Sequence, residues 1–179
     1  MRLESVDLMD RRLLLLNGLG LSLALAGCTS SAPTVGADGK PLPKVYTIRP
    51  GDEREITFRF LDAVNTLRAA KSLPALTLDA QLTAAAATHS HDMSVQNRPW
   101  HFGSDGSSPI IRAQRSGFTG RLLGELISET YETELETLSS WMGQADTRMV
   151  IMDPLARRLG FAWYQEPAGK LWWTVLTGV

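Results

Sequence analysis

Apolar residues recur along this chain first at helical and then at strand spacing. Ile56, Phe60, Val64 and Leu67 fall at i, i+4, i+8 and i+11, which predicts a first helix with Asp52 capping its start. Pro74 lies in the connector that follows. Asp79 opens a second helix running to about Gln96, with an apolar stripe of Leu82, Ala85, Ala86, His89 and Met93. Asn97-Arg98-Pro99 ends it. The segment from Trp100 to Pro109 is rich in glycine and serine and reads as a loop. Ile110 to Arg115 is a short helix closed by Gly117. Leu123 to Ile127, which carries Glu125, is weakly patterned. A third long helix spans about Thr130 to Met142, and Pro154 marks a break. Leu159 to Gln165 and Leu171 to Leu176 read as strands around a turn at Glu166-Pro167-Ala168-Gly169. Helices first and strands last point to an α+β domain whose helices cover an antiparallel sheet.

The N-terminal region follows a different pattern. Arg11 and Arg12 precede an apolar run from Leu13 to Ala26. The run is shorter than the roughly 20 residues that a membrane-spanning helix requires. A basic start, a short apolar stretch and small residues at its end read as an export signal. Leu25-Ala26-Gly27-Cys28 resembles the bacterial lipobox, in which the cysteine is lipidated and becomes the mature N-terminus. Residues 1–27 are therefore expected to be a lipoprotein signal peptide. Residues 28–50, with several Ser, Pro and Gly, are expected to be a lipidated N-terminus and flexible tether. Residues 51–179 are expected to form the functional domain. Cys28 would hold the protein to a membrane, with Thr29 after it favouring the periplasmic face of an outer membrane where the cell has one.

Composition narrows the classes of function. The chain has 179 residues, 18 Lys+Arg against 19 Asp+Glu, and a net charge of −1. Near-neutrality argues against a nucleic-acid partner, which needs a basic surface. A hydrophobic share of 44% excludes a solvated, disordered chain. One cysteine excludes an intramolecular disulfide and a cysteine-cluster zinc site. With three histidines, a histidine-built metal site would use most of them. His89 and His91 stand two apart on one helix and point in different directions, so they cannot share a metal. His89 lies on the apolar stripe and reads as a core histidine. His91 reads as a surface residue.

Asn65-x-x-Arg68, Leu76, Leu78-Asp79-x-x-Leu82, His91-Asp92-Met93, His101 with Asp105-Gly106, Arg112, Gly117-Phe118, Gly124-Glu125-x-Ile127 and Trp141 occur in an order and spacing that resembles the CAP family. That family comprises cysteine-rich secretory, antigen 5 and pathogenesis-related class 1 proteins, with bacterial lipoprotein members. The resemblance covers about Ile56 to Gly178. It implies a three-layer α-β-α sandwich with a central antiparallel sheet. It also implies a cleft lined by two histidines and acidic residues. The first cleft histidine matches His101 and the acid matches Glu125. The second histidine position, before Arg148, is Thr147, and the asparagine after the acid is Leu126.

These departures bear on chemistry. A histidine pair with a carboxylate suits zinc or acid–base catalysis. A threonine hydroxyl restores neither a ligand nor a base. No cofactor is therefore expected, with weak zinc binding at His101 as the most the cleft would support. Trp100 and Trp141 are expected to line the cleft beside His101, Glu125 and Thr147. The pattern favours a membrane-anchored, extracytoplasmic binding or scaffold module with an envelope ligand of protein, glycan or lipid nature. Two alternatives stand beside it. One is an envelope or protein hydrolase using His101 and Glu125. The other is a lipid or sterol binder with an apolar groove near Trp100 or Trp141.

Overall fold

A computed structural model describes residues 45–179, so the expected signal peptide, Cys28 and most of the tether lie outside the described residues. Residues 45–179 contain five helices and four strands. In chain order these are α1 (Glu53–Ala69), β1 (Thr77–Leu78), α2 (Ala80–Gln96), α3 (Pro109–Arg115), β2 (Leu122–Thr130), α4 (Glu134–Gly143), α5 (Ala145–Ile151), β3 (Arg158–Gln165) and β4 (Leu171–Gly178). None of these helices is long and apolar enough to cross a membrane.

The strands form one sheet in the order β1-β3-β4-β2. β2, β3 and β4 pair antiparallel, whereas the short β1 adds to β3 in parallel. Side chains alternate between the two faces. Leu126, Phe161, Trp173 and Val175 point to one face and pack with Ile56, Phe60 and Val64 of α1, Leu138 and Trp141 of α4, and Ile151 of α5. Ala162 and Leu176 point to the other face and pack with Leu82, Ala85 and Ala86 of α2 and Ala113 of α3. The result is the α-β-α sandwich. The first core is an aromatic stack, with Phe60 on Phe161 at 3.9 Å between ring centroids and Phe161 on Trp173 at 5.5 Å. Each such ring contributes roughly 2–3 kcal/mol through burial. The second core is built from alanines, which lets α2 lie close to the sheet.

Local chemistry sets the boundaries. The Asp79 carboxylate caps α2 by accepting from the backbone N–H of Gln81 and Leu82, and Asn97 ends the helix in the left-handed conformation at φ 49°. Asp52 precedes α1 but does not cap it, because its carboxylate accepts from the Arg49 N–H instead. The third long helix starts later than its pattern suggested. β2 continues through Thr130, and Thr133 forms a reciprocal capping box with Glu136 before α4 begins at Glu134. The weakly patterned stretch around Glu125 is thus part of an edge strand. β1 and α5 are too short to leave a periodic signal.

Two polar clamps complete the domain. Arg68 is fully buried without an acidic partner. Its guanidinium donates to the carbonyls of Pro74, Ile151, Asp153 and Ala156 at 2.7–3.2 Å, tying the end of α1 to the segments after α1 and α5. Asn65 grips the same connector through the Leu76 backbone. Near the start of the described chain, the Gln165 side chain accepts from Ile48 N–H and donates to the Tyr46 carbonyl, while Tyr46 N–H donates to Tyr131.

Candidate functional site

Glu125 sits on β2 with its side chain on the α2/α3 face, next to Leu126, which faces the opposite core. Its side chain is 2% exposed. A carboxylate so placed requires donors, and three elements supply them. From α3, Arg112 Nη2 donates to Oε2 at 2.6 Å. From the loop after α2, His101 Nδ1 lies 2.8 Å from Oε1. From α2, His89 Nε2 comes within 3.8 Å of Oε1, beyond hydrogen-bonding reach. The Arg112 Nη1 donates to the carbonyls of His101 and Ser107 at 3.0 and 2.8 Å. One guanidinium therefore fixes both the acid and the loop that carries the histidine.

The two histidines differ in environment. His89 is fully buried and its Nε2 contacts the Trp100 carbonyl at 2.9 Å. A carbonyl only accepts, so the hydrogen is assigned to Nε2 and Nδ1 is left bare, without a partner. Burial pushes the His89 pKa down, and the nearby Arg112 charge adds to the effect against the opposing pull of Glu125. His101 is 52% exposed at its side chain. With Nδ1–H assigned as donor to the carboxylate, its Nε2 is left to accept.

The sequence-predicted cleft residues fall into two groups. His101 and Glu125 are brought into contact. Trp100 lies beside them, its carbonyl on His89 and its ring 5.6 Å from that of Phe102. Trp141 and Thr147 belong to the α4/α5 layer on the other face of the sheet. Trp141 packs on Phe60 and donates Nε1–H to the Ile127 carbonyl. The Thr147 hydroxyl donates to the Trp141 carbonyl at 2.6 Å and makes no bond to His101 or Glu125. Sequence reasoning did not foresee the joint role of Arg112, nor that the core histidine His89 borders the acid. The need of a semi-buried Glu125 for a donor was the available signal. Arg112, set between Ile111 and Ala113 on a short helix, answered it. Among the described residues, no group of three or more His, Cys, Asp or Glu side chains is placed to hold a metal ion.

A buried Arg–Glu pair with a half-exposed histidine, set in an α-β-α sandwich, defines a mixed α/β domain with an internally braced polar site. The family described as CAP, the cysteine-rich secretory protein family, matches residues 61–177, well over half of the sequence. The chain belongs to that family. Solved structures agree on the fold. An outer surface protein from Borrelia burgdorferi is similar at a TM-score of 0.66 and 16% identity, over 75% of this chain and 98% of that one. An extracellular protein containing a SCP domain from Bacillus anthracis gives 0.65 and 22%, over 74% of this chain and 44% of that one. A cysteine-rich secretory protein from Staphylococcus aureus gives 0.63 and 12%, over 80% and 44%. This chain thus spans less than half of the latter two proteins. No curated protein matches the sequence.

Proposed function

We propose that this CAP-family chain is an extracytoplasmic binding module, exported as a lipoprotein and held to a membrane through Cys28, with an envelope component as its ligand. The supporting observation is that Arg112 and His101 occupy both oxygens of Glu125, which is almost wholly removed from solvent. A carboxylate so engaged braces the loop from His101 to Ser107 and is poorly placed to meet a substrate. Incubation of the full chain with protein, peptidoglycan and ester substrates should give no turnover that His101→Ala removes. Turnover lost in a folded His101→Ala protein would overturn the reading in favour of a hydrolase. The specific observation on that side is His101 itself: an imidazole oriented by a carboxylate, with Nε2 left to accept, is how a general base is held.

The anchor has its own test. Labelled fatty acid should enter the protein in its native host and be lost in Cys28→Ser, which should then appear in the soluble fraction. In a cell with two membranes, the lipidated form belongs at the periplasmic face of the outer one.

A further inference from the structure

A groove of about 520 Å³ lies on the α1/α4/α5 face of the sheet, between the end of α4, α5 and the turn that follows α1. We infer that it docks an acidic amphipathic helix of a partner protein. The inference goes beyond the binding-module reading. It concerns the face of the sheet opposite Glu125 and holds whether or not that site turns over a substrate.

The floor is apolar and continuous. Leu73, Met142, Met149, Met152 and Pro154 line it, and Leu155 follows on. Met149 is 68% exposed and Leu155 52%. Of the methionines in residues 45–179, only Met93 lies elsewhere. A contiguous apolar patch with a polar rim marks an interaction surface. The flexible thioether of methionine adapts to a partner's shape, and methionine and arginine are both enriched at protein interfaces.

The rim is cationic. Lys71 and Arg148 line the groove, and Arg157 reaches its edge by donating to the Pro154 carbonyl at 2.8 Å. Among the described residues none of these three forms an ion pair, whereas Arg59, Arg112, Arg115 and Lys170 do. Of the lining residues only Asp153 carries a carboxylate, and it accepts from the Leu155 N–H. The buried Arg68 adds a further positive charge behind it, bonded to the Asp153 carbonyl. This surface is short of negative charge, and an acidic partner supplies it.

The walls are fixed before any partner arrives. The Arg68 fork locks the connector after α1 to the segment after α5. Arg148 Nη1 donates to the Met142 carbonyl at 2.9 Å, and the Thr147 hydroxyl donates to the Trp141 carbonyl, so α4 is held against α5. A preorganised groove loses little conformational freedom on binding. Its shape selects the occupant. Every lining residue comes from a helix or a turn, so an extended peptide finds no strand to pair with. The ridge of a helix, with anchors three and four residues apart, is the complement. Lys71, Arg148, Met149 and Pro154 are themselves exposed, so the groove is shallow. A single acyl chain would stay largely in water there, whereas a pocket normally buries roughly 70–90% of a small ligand. A flat bilayer does not fill a recess.

The test holds the full chain in phosphatidylcholine nanodiscs and reads the fluorescence anisotropy of a labelled peptide. The probe has about 18 residues, enough to form a helix, with leucine on one face and glutamate on the other. A second peptide carries lysine in place of glutamate, and empty nanodiscs give the background. The glutamate peptide should bind with a Kd of about 100 µM or tighter, and more weakly as salt is raised. The lysine peptide should not bind. Arg148→Glu and Met149→Asp, both at exposed positions that the fold tolerates, should each weaken binding roughly tenfold. Arg98→Glu, just after α2, should leave it unchanged. The inference is overturned if the glutamate peptide does not bind, if both peptides bind alike, or if binding survives Arg148→Glu and Met149→Asp. It is also overturned if palmitate or a second copy of the chain occupies the groove instead, read as loss of palmitate binding or of dimers in Met149→Asp. None of these outcomes touches the reading of His101 and Glu125, which the turnover assays test separately.

Discussion

Arg112 Nη2 stands 2.6 Å from Glu125 Oε2, and both side chains are almost entirely buried. The pair joins α3 to an edge strand that otherwise has a neighbour on one side only. Removing one partner leaves the other charge buried and uncompensated, which costs about 3–5 kcal/mol. Arg112→Ala and Glu125→Ala should each lower stability by that amount in urea unfolding. The double variant should cost much less than the sum.

His101 also touches Glu125, but its half-exposed ring sits where solvent screens the interaction. His101→Ala should cost under about 1 kcal/mol. A loss as large as that of Arg112→Ala, read from the same unfolding curves, would refute the assignment of Arg112 as the principal brace.

His89 should make the fold acid-sensitive. Its folded pKa is pushed below the unfolded value of about 6.5. In that window the unfolded chain binds more protons, so stability rises with pH. The contribution is present above about pH 6.5 and is lost as pH falls through the folded pKa. Unfolding free energies measured between about pH 7.5 and 5 should decline on acidification. His89→Gln should start lower but show a flatter slope.

How much of this was legible in sequence depended on the element. α1, α2, β3 and β4 announced themselves, because long faces of Ile56, Phe60 and Val64, or runs such as Leu171 to Leu176, leave a clear period. β2 did not, because Gly124, Glu125 and Glu129 interrupt its apolar character for reasons of packing and charge pairing. α4 begins later than its apolar pattern predicts because β2 runs on through Thr130, and it is Thr133, with a glutamate three residues on, that caps the helix. The contact of His101 with Glu125 was implied by family resemblance. Arg112 as their common anchor is a tertiary fact that spacing cannot carry. The resemblance also implied Thr147 as a cleft residue, at the second histidine position; its hydroxyl donates to the Trp141 carbonyl at the α4–α5 junction.

Asn65-x-x-Arg68, one of the motifs behind the resemblance, has a structural role here. Arg68 gathers four carbonyls in a planar fork that an ammonium group cannot imitate. Arg68→Lys should therefore cost about 2–4 kcal/mol through carbonyls left without donors. Thermal unfolding checks this, with Lys recovering little over Ala.

Gly160 permits the close seating of α2. A Cβ there would overlap the Leu82 carbonyl group. Gly160→Ala must push the helix off the sheet, and a loss of about 3 kcal/mol or more is expected, at or above the upper end of ordinary overpacking. Calorimetry of the purified variant measures it.

The Gln165 clamp on Tyr46 and Ile48 determines where a mechanical load enters the domain. Tension applied to the chain ahead of Val45 reaches the β3–β4 hairpin end through these bonds and the Tyr46–Tyr131 link, and α1 through the bond from Arg59 to the Tyr46 hydroxyl. A pull of that kind is shared between the sheet's end, α1 and the first core, against which Tyr46 and Ile48 pack, whereas the second core stays unloaded until the clamp has opened.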